Sequence, residues 1–261
     1  MFQLSVCEGT VFPNLPFRQR VREVAAAGFS VELWGWEDEA LEAIAADPDI
    51  RIASMPGWGP GSMVHPDGVE TFLEGARKNL AVARRIGCRN LAVASGELDR
   101  QGRVVHAIAE HPADRWITAY RCLCELAEIA EKEDVSYNFE VLNTKVDHAG
   151  YPFPHLEDGA RLIRQVDSPR IRLLVDVYHA QVEEGNVVQA IRDHREIIGH
   201  VHVADVPGRH EPGTGEIHYP RVAAALREIS FKGTVGLEAF PESDSHLALE
   251  RFRQVFSESA S

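Results

Sequence analysis

Short apolar runs recur along the chain at similar intervals. Each run has five or six residues and contains Val, Ile, Leu or Phe, as buried β-strands do. Polar or helical segments separate consecutive runs. Eight such runs are present: FQLSV (2–6), FSVEL (29–33), IRIAS (50–54), NLAVA (90–94), VSYNFE (135–140), IRLLVD (171–176), HVHVAD (200–205) and TVGLEA (234–239). The pattern therefore predicts eight strands.

Helical patterns fill the intervals between these runs. In FRQRVREVAAAG (17–28), Val21 and Val24 fall on one apolar face, and Gly28 provides a stop signal. The longest pattern, ITAYRCLCELAEIAEKE (117–133), has a comparable apolar stripe. Short strands that alternate with helices indicate a parallel sheet whose faces are covered by the helices.

The number of units and the chain length together select the fold class. Eight βα units in 261 residues fit an α/β, single-domain (β/α)₈ TIM barrel over residues 1–261. The alternative is an open doubly wound sheet, which requires a glycine-rich phosphate-binding turn after its first strand. Here CEGTVFPNLP (7–16) follows that strand and lacks the pattern. No linker or low-complexity segment marks a domain boundary.

Acidic and imidazole side chains stand at or near the ends of the last four predicted strands. They are Glu140, Asp176, His202 and Glu238. Because TIM barrels carry their functional groups at the carboxyl ends of the strands, we expect these four side chains to converge. Asp205 has the opposite strand parity to His202, and we assign it a capping or supporting role.

Such a set of buried groups indicates a metal site. Burying a carboxylate that has no partner costs several kcal/mol, so these groups require a metal ion, another cation or a proton. Oxygen ligands suit Mg²⁺ or Mn²⁺, and the imidazole shifts the preference toward Mn²⁺ or Co²⁺. His200 shares a strand face with His202, so one of these histidines can be a core residue while the other binds.

Charge and composition limit the class of partner. The chain has 27 Lys and Arg residues against 40 Asp and Glu residues, a formal net charge of −13. Nucleic acids and anionic membranes select basic surfaces, so we expect neither as a partner. No apolar run approaches the roughly 18 residues of a membrane span. The N-terminus lacks a basic stretch and the four cysteines lack a CxxC pair, which predicts reduced thiols in a cytoplasmic protein.

Four segments around the strand ends form recognisable motifs: EVLNTK (140–145), VDVYHAQ (175–181), GHVHVADVPGRHEPGTGE (199–216) and GLEAF (236–240). They resemble the motifs of hydroxypyruvate isomerases, which belong to the xylose isomerase-like barrel superfamily. The resemblance runs over nearly the whole chain, and its most specific part is VPGRHEPGTGE. The resemblance implies that the four strand-end residues named above are metal ligands. Glu140 and Glu238 would also form the acid–base pair, while His179 and Arg209 would contact substrate oxygens.

The resemblance also implies the reaction. Hydroxypyruvate isomerases interconvert hydroxypyruvate and 2-hydroxy-3-oxopropanoate (tartronate semialdehyde), an aldose–ketose type of isomerisation. A proton leaves a carbon beside a carbonyl, and a divalent ion stabilises the resulting enediolate as a Lewis acid. Two glutamates then move the proton between neighbouring carbons. We expect a small hydroxy or oxo acid or a sugar as substrate, and a homo-oligomer is compatible with this interpretation.

One departure from the isomerase pattern keeps a second enzyme in view. Isomerases often have Gln in an HVQ context where this chain has His202, and His is typical of ketose 3-epimerases of the tagatose, psicose or ribulose type. Those epimerases, however, place a substrate-binding Glu where this chain has Val146. Metal-dependent hydrolases or lyases of the same barrel form a third class, although a DNA-repair enzyme would need a basic groove. A non-catalytic binding module is the least favoured class, because such a protein has little use for two glutamates on a metal ion.

Other polar residues are candidate substrate contacts. Arg209 suits a carboxylate or terminal hydroxyl because its planar guanidinium can bind two oxygens at once. The alternative for Arg209 is a structural ion pair with Glu211 or Glu216. Lys145 is a second candidate for anion contact, and His65 lies on an early βα loop that can face the pocket.

The early loops have further features. Trp34, Trp36 and Trp58 can wall the pocket or lie in the core. GWGPG resembles a phosphate cradle, but we expect the following SMVHPDG not to open a helix, so we interpret 55–68 as a mobile loop over the site. His148, near Gly150 and Pro152, sits in a loop that can face substrate, although we expect it to be solvent-exposed.

Overall fold

The computed structural model describes residues 2–36, 38–99, 101–105 and 111–257. Within these residues the chain forms a closed barrel of parallel strands, in which each strand pairs with its neighbour in sequence. The first strand pairs with the eighth and closes the barrel. This confirms the predicted TIM-barrel fold class.

The strands of the barrel are short, as the apolar runs predict. They are β1 (Gln3–Cys7), β2 (Ser30–Glu32), β3 (Ile52–Pro56), β4 (Asn90–Ala94), β5 (Ser136–Glu140), β6 (Ile171–Asp176), β7 (Ile198–Val203) and β8 (Thr234–Leu237). Each coincides with one of the eight predicted runs, with ends that move by at most two residues. The eighth strand, β8, starts where predicted and ends two residues early, so Glu238 directly follows the sheet.

Helices separate the strands. They are α1 (Phe17–Ala26), α2 (Asp38–Ala45), α3 (Pro66–Arg85), α4 (Pro112–Glu133), α5 (Leu156–Val166), α6 (Val177–Glu183), α7 (Val187–Asp193), α8 (Tyr219–Glu228) and α9 (Ser245–Ser257). The buried residues form a continuous apolar layer between sheet and helices, to which Tyr137 and Phe139 of β5 and Phe72 of α3 contribute. This layer fixes the positions of the strand ends.

Two helix starts differ from the sequence expectation. α3 begins at Pro66, inside the segment that we expected not to open a helix, so that expectation was wrong. His65 caps α3, since its Nδ1 accepts a hydrogen bond from the Asp67 amide over 3.2 Å, and a proline occupies the first turn. α4 begins at Pro112, five residues before the predicted start, and His111 caps it in the same way. Histidine is an uncommon cap, which explains why the sequence pattern missed both starts.

Two further observations concern membrane-spanning helices and the state of the cysteines. Among the helices of the described residues, none has both the length and the mean hydropathy that a bilayer span requires. All four cysteines are free thiols. Cys122 is buried whereas Cys124, two residues on, is partly exposed, as expected for side chains on different faces of one helix.

Candidate metal centre and active site

The strand ends bring four polar side chains together at one end of the barrel. Glu140 ends β5, Asp176 ends β6, His202 lies next to the end of β7, and Glu238 directly follows β8. One ligand atom from each residue lies within 4.8 Å of the corresponding atoms of the others. All four residues are buried. The structure therefore assembles the four residues that the sequence identified as candidate metal ligands.

The strand register explains this convergence. Asp176 is the register partner of His202, and His202 is the partner of Gly236. Side chains alternate along a strand, so Glu238, two residues after Gly236, faces the same side of the sheet. Glu140 is the partner of a β6 residue two positions before Asp176, which places it on that side as well. Four neighbouring strands thus direct their last inward positions at one point.

Two buried atoms of this cluster have no hydrogen-bond partner among the described residues. They are Oε1 of Glu140 and Nδ1 of His202. Nδ1 of His202 lies 3.6 Å from Glu140 Oε1 and 3.5 Å from Glu238 Oε2, beyond ordinary hydrogen-bond length. Buried polar atoms are normally paired. Glu140 Oε1 and, once the ring is neutral, His202 Nδ1 are acceptors that face one another, so the pair fits a divalent cation. The oxygen-rich donor set with one imidazole suits Mn²⁺ or Mg²⁺.

Arg209 contacts the same cluster from the loop after β7. Its Nη2 donates to Glu238 Oε2 over 2.6 Å and lies 3.5 Å from Asp176 Oδ2. The guanidinium also lies 5.1 Å from the centre of the Tyr178 ring, a cation–π arrangement. Its Nε is buried and has no partner among the described residues. The alternative pairing with Glu211 is wrong for this structure, in which Glu211 binds a different arginine on α9.

The pKa values of the carboxylates diverge. Burial raises the pKa of Asp176 to about 7, because the nearby Arg209 only partly offsets the loss of water and two further carboxylates oppose its charge. Burial also acts on Glu238, but the Arg209 guanidinium and His202 outweigh it and hold the pKa of Glu238 below its usual value. Glu238 is therefore charged at neutral pH, whereas the carboxyl group of Asp176 is only partly ionised in that range.

His179 presents a defined hydrogen-bond donor to the site. Its Nδ1 lies 3.2 Å from the Asn143 amide nitrogen and 2.7 Å from Asn143 Nδ2, both of which can only donate. Burial, together with the positive charge of Arg209, lowers the pKa of His179 well below its usual value. The neutral ring therefore carries its proton on Nε2, which lies 3.6 Å from Asp176 Oδ2.

An aromatic pair lies at the mouth beside Glu238. The indole Nε1 of Trp34, after β2, donates to Glu238 Oε1 over 2.6 Å. Its ring is about half exposed and meets the exposed Phe240 edge to face at 5.9 Å. Any side chain at position 9 would collide with this indole, so Gly9 provides the flat surface on which Trp34 lies. Trp34 thus lies at the pocket mouth, one of the two placements that the sequence left open, and is a partner of Glu238.

Other predicted positions have different environments. The ammonium of Lys145 contacts the backbone carbonyl of Glu183 on α6, and His65 caps α3, so each has a structural partner outside the cluster. Trp36 packs against the main core, and Trp58 packs against a small apolar cluster at the mouth that includes Tyr151.

Within the 55–68 segment, the residues between β3 and α3 pack closely against α3. Gly59 meets Gly75 of α3 so closely that neither position has room for a Cβ. Asn79 on α3 donates to the carbonyl of Trp58. The expectation that His148 is solvent-exposed was wrong: it is buried, its Nδ1 lies 2.5 Å from the Gly102 carbonyl, and its ring lies near His179.

The sequence reasoning missed Glu32, at the end of β2. This carboxylate is buried and contacts both His200 and His202. A signal was present, because FSVEL has a glutamate within an apolar strand and no basic neighbour. The partners lie on β7, across two intervening strands, and only the closed barrel brings them close.

Asp205 organises the loop that carries Arg209. Its carboxylate accepts hydrogen bonds from three backbone amides of the loop, those of Val206 (3.0 Å), Gly213 (2.8 Å) and Ile217 (3.0 Å). Its own amide donates to the His210 carbonyl over 2.7 Å. Asp205 thus has a supporting role, as its strand parity suggested.

Sequence relatives point to isomerases of small oxo acids. The hydroxypyruvate isomerase of Escherichia coli K12 is 25% identical over 262 residues, covering 95% of this chain and 97% of that protein. The 2-oxo-tetronate isomerase of Pectobacterium atrosepticum is 28% identical over 247 residues, covering 88% and 89% respectively. A human relative, also named for hydroxypyruvate isomerase, is 29% identical over 261 residues, covering 94% and 92%.

Solved structures agree on the fold. An AP endonuclease, family 2, from Brucella melitensis superposes with a TM-score of 0.87 at 25% identity, covering 97% of this chain and 99% of that one. The D-psicose 3-epimerase of Clostridium cellulolyticum H10, crystallised with D-tagatose, superposes with a TM-score of 0.79, covering 98% and 99%. At 19% sequence identity, this superposition shows that the two chains share a fold and nothing more.

The family follows from the extent of the match. The profile of the xylose isomerase-like TIM barrel matches residues 18–255, which include all four residues of the cluster. The closed eight-stranded barrel with its polar strand ends agrees with that match. The chain therefore belongs to the xylose isomerase-like TIM barrel family.

Proposed function

We propose that this protein is a metal-dependent isomerase that interconverts hydroxypyruvate and 2-hydroxy-3-oxopropanoate, or a closely related small 2-oxo acid. The observation that carries the proposal is the buried cluster of Glu140, Asp176, His202 and Glu238, with its two unpaired acceptor atoms. The names of the sequence relatives support an oxo-acid substrate. The net charge of −13 argues against a nucleic-acid substrate.

The same four residues would hold the divalent cation, Mn²⁺ or Mg²⁺ by the chemistry of the donors. Once bound, the cation would supply Lewis acidity, which lowers the free energy of the enediolate form of the substrate. The remaining chemistry falls to the side chains of this chain.

Proton transfer is assigned to Glu238 and Glu140. Glu238 is charged at neutral pH and has both oxygens fixed, one by Trp34 and one by Arg209. It can therefore take the proton from C3 of hydroxypyruvate while the C–H electron pair becomes the C2–C3 double bond of the enediolate. Return of a proton to C2, from Glu140 or from Glu238 itself, together with transfer of the C3 hydroxyl proton to the C2 oxygen, gives the aldehyde. General acid–base transfer of this kind contributes on the order of 10²–10⁴-fold.

Two further residues are assigned to the substrate oxygens. The Nε2–H of neutral His179 can donate to a substrate carbonyl or hydroxyl oxygen. Arg209 has a buried Nε–H without a partner among the described residues, and a substrate carboxylate would satisfy it. A charged donor of this type favours an acid over a neutral ketose.

A ketose 3-epimerase is the second candidate, because His202 stands where those enzymes typically have histidine. The same glutamate pair would then remove and return a proton at one carbon, from opposite faces. The exposed aromatic pair of Trp34 and Phe240 offers an apolar surface that suits the longer carbon chain of a ketohexose.

Proton exchange with solvent distinguishes the two candidates. The protein with Mn²⁺ is incubated in D₂O with hydroxypyruvate or with a ketohexose such as D-tagatose, and deuterium incorporation and products are followed by NMR. We expect exchange at C3 of hydroxypyruvate and appearance of the aldehyde. Exchange with the ketohexose alone would replace the isomerase proposal with the epimerase. Glu140→Gln and Glu238→Gln should each abolish the exchange, and Glu228→Gln, which removes a glutamate charge paired with Arg192 outside the cluster, is the control.

A further inference from the structure

A second buried polar group lies beneath the four-residue cluster, inside the barrel. Its centre is Glu32, of which 3% is exposed. Oε1 of Glu32 accepts a hydrogen bond from Ser5 and lies 3.0 Å from Nε2 of His200. The other oxygen, Oε2, lies 2.9 Å from Nε2 of His202. One carboxylate therefore joins β1, β2 and β7.

The two ring nitrogens of His202 consequently face different groups. Nε2 faces Glu32, whereas Nδ1 faces Glu140 and Glu238 and has no hydrogen-bond partner among the described residues. A neutral imidazole carries one N–H, and a carboxylate next to one nitrogen retains the proton there. In the neutral ring that a metal ligand must be, the lone pair then belongs to Nδ1.

We propose that Glu32 is a positioning residue that holds His202 as the Nε2–H tautomer and directs the Nδ1 lone pair at the divalent cation. The inference rests on the proposed function, because it requires a cation among the four residues. A carboxylate bonded to the far nitrogen of a ligating histidine also makes the ring a stronger donor to a metal.

The surroundings fix Glu32 in this position. Ser5 and His200 occupy Oε1, so Oε2 is the oxygen available to His202. On the neighbouring strand β8, a Cβ at Gly236 would collide with Oε1 of Glu32 and would also press on the His202 ring. Glycine at 236 therefore provides the space through which the carboxylate reaches from β2 to β7.

Glu32→Gln tests the proposal through metal affinity. The amide oxygen can still accept a hydrogen bond from His202, so the variant removes the charge and keeps the shape. We expect the dissociation constant of Mn²⁺, measured by calorimetry, to rise roughly 10–100-fold. Glu183→Gln is the control: Glu183 on α6 is also buried, loses the same charge and accepts its hydrogen bonds from Thr144, not from any of the four ligand residues, so its Mn²⁺ affinity should equal that of the wild type.

A second measurement reads the tautomer in the unaltered protein. Histidine labelled with ¹⁵N in the protein loaded with Zn²⁺, which is diamagnetic, should give a His202 signal with a proton on Nε2 and none on Nδ1. The signal is assigned by its loss in His202→Asn. This spectrum needs no Glu32 variant, so the proposal remains testable if Glu32→Gln does not fold.

The outcomes separate the two proposals. If the wild-type protein binds no Mn²⁺, both the metal centre and the role of Glu32 are overturned. If the wild type binds Mn²⁺ and a folded Glu32→Gln binds it equally well, or if the Nε2 proton is missing, only the role of Glu32 is overturned.

Discussion

The indole N–H of Trp34 lies 2.6 Å from Oε1 of Glu238, and the other oxygen of that carboxylate lies 2.6 Å from the Arg209 guanidinium. Glu238 is thus held by two donors on opposite sides of the mouth, one after β2 and one after β7. A carboxylate with both oxygens bonded has little freedom to rotate, which suits a group that must meet one substrate carbon.

Trp34→Phe should lower catalytic efficiency while leaving the aromatic wall in place. A hydrogen bond to a charged group contributes about 1.5–3 kcal/mol, so we expect kcat/KM to fall roughly 10–100-fold. The loss should lie mainly in kcat, because the indole contacts the proton-transferring Glu238 and none of the oxygens of the substrate. Steady-state kinetics check this. The control is Trp116→Phe, whose exposed indole binds Gln165 on the outer helices; an equal loss there would contradict the assignment.

Arg209→Lys should act on substrate binding. Lysine keeps the charge but loses the planar fork, the buried Nε–H and the stacking on Tyr178. We expect KM for hydroxypyruvate to rise roughly tenfold or more, with a smaller change in kcat. Arg192→Lys is the control, since the Arg192 guanidinium binds Glu228 through two nitrogens outside the cluster. Unchanged kinetics of Arg209→Lys would remove Arg209 from the substrate site.

Much of the fold was accessible from the sequence because the barrel depends on local patterns. Each apolar run is long enough for one buried strand, and the helices between them have a single apolar face, so β and α elements alternate without ambiguity. The four strand-end residues were accessible for the same reason. Once eight parallel strands are recognised, the residue that ends each strand must lie at the same end of the barrel.

Contacts between distant segments were not accessible in this way. Glu32 and His202 are 170 positions apart, and their contact depends on how the barrel closes. The orientation of the Lys145 side chain depends on the conformation of the loop after β5, which brings its ammonium group to the backbone carbonyl of Glu183 on α6. Trp34 was placed on the pocket wall, but its bond to Glu238 depends on the space above Gly9.

Metal affinity should rise with pH. Burial raises the pKa of Asp176 to about 7, so below that pH its carboxyl group carries a proton. Burial favours the neutral form of His202, but the charges of Glu238 and Glu32 outweigh it and hold the pKa of His202 well above its usual value. Both groups must lose a proton before they can act as ligands, so protons compete with the metal.

The sign of this dependence can be measured directly. Calorimetry of Mn²⁺ binding in buffers of different ionisation enthalpy reports the number of protons released. Below pH 7 Asp176 carries a proton that it must release, so we expect more protons to be released per Mn²⁺ bound below pH 7 than above pH 8. The dissociation constant of Mn²⁺ should fall across this interval. An affinity that is independent of pH between 6 and 8 would contradict the assigned protonation states.

Asp205→Asn should destabilise the fold and weaken substrate binding together. The amide can accept hydrogen bonds at only one of its two polar atoms, so at least one of the three loop amides loses its partner inside the protein. Leaving a partly buried donor unpaired costs about 1 kcal/mol, the lower end of the range for buried groups, which urea unfolding can measure. Because the same loop carries Arg209, KM should rise as well. Asp99→Asn is the matched control: Asp99 accepts from the amides of Gln101 and Arg103 in an exposed turn, where water replaces a lost bond. A loss of stability without any change in KM would separate the loop from substrate recognition.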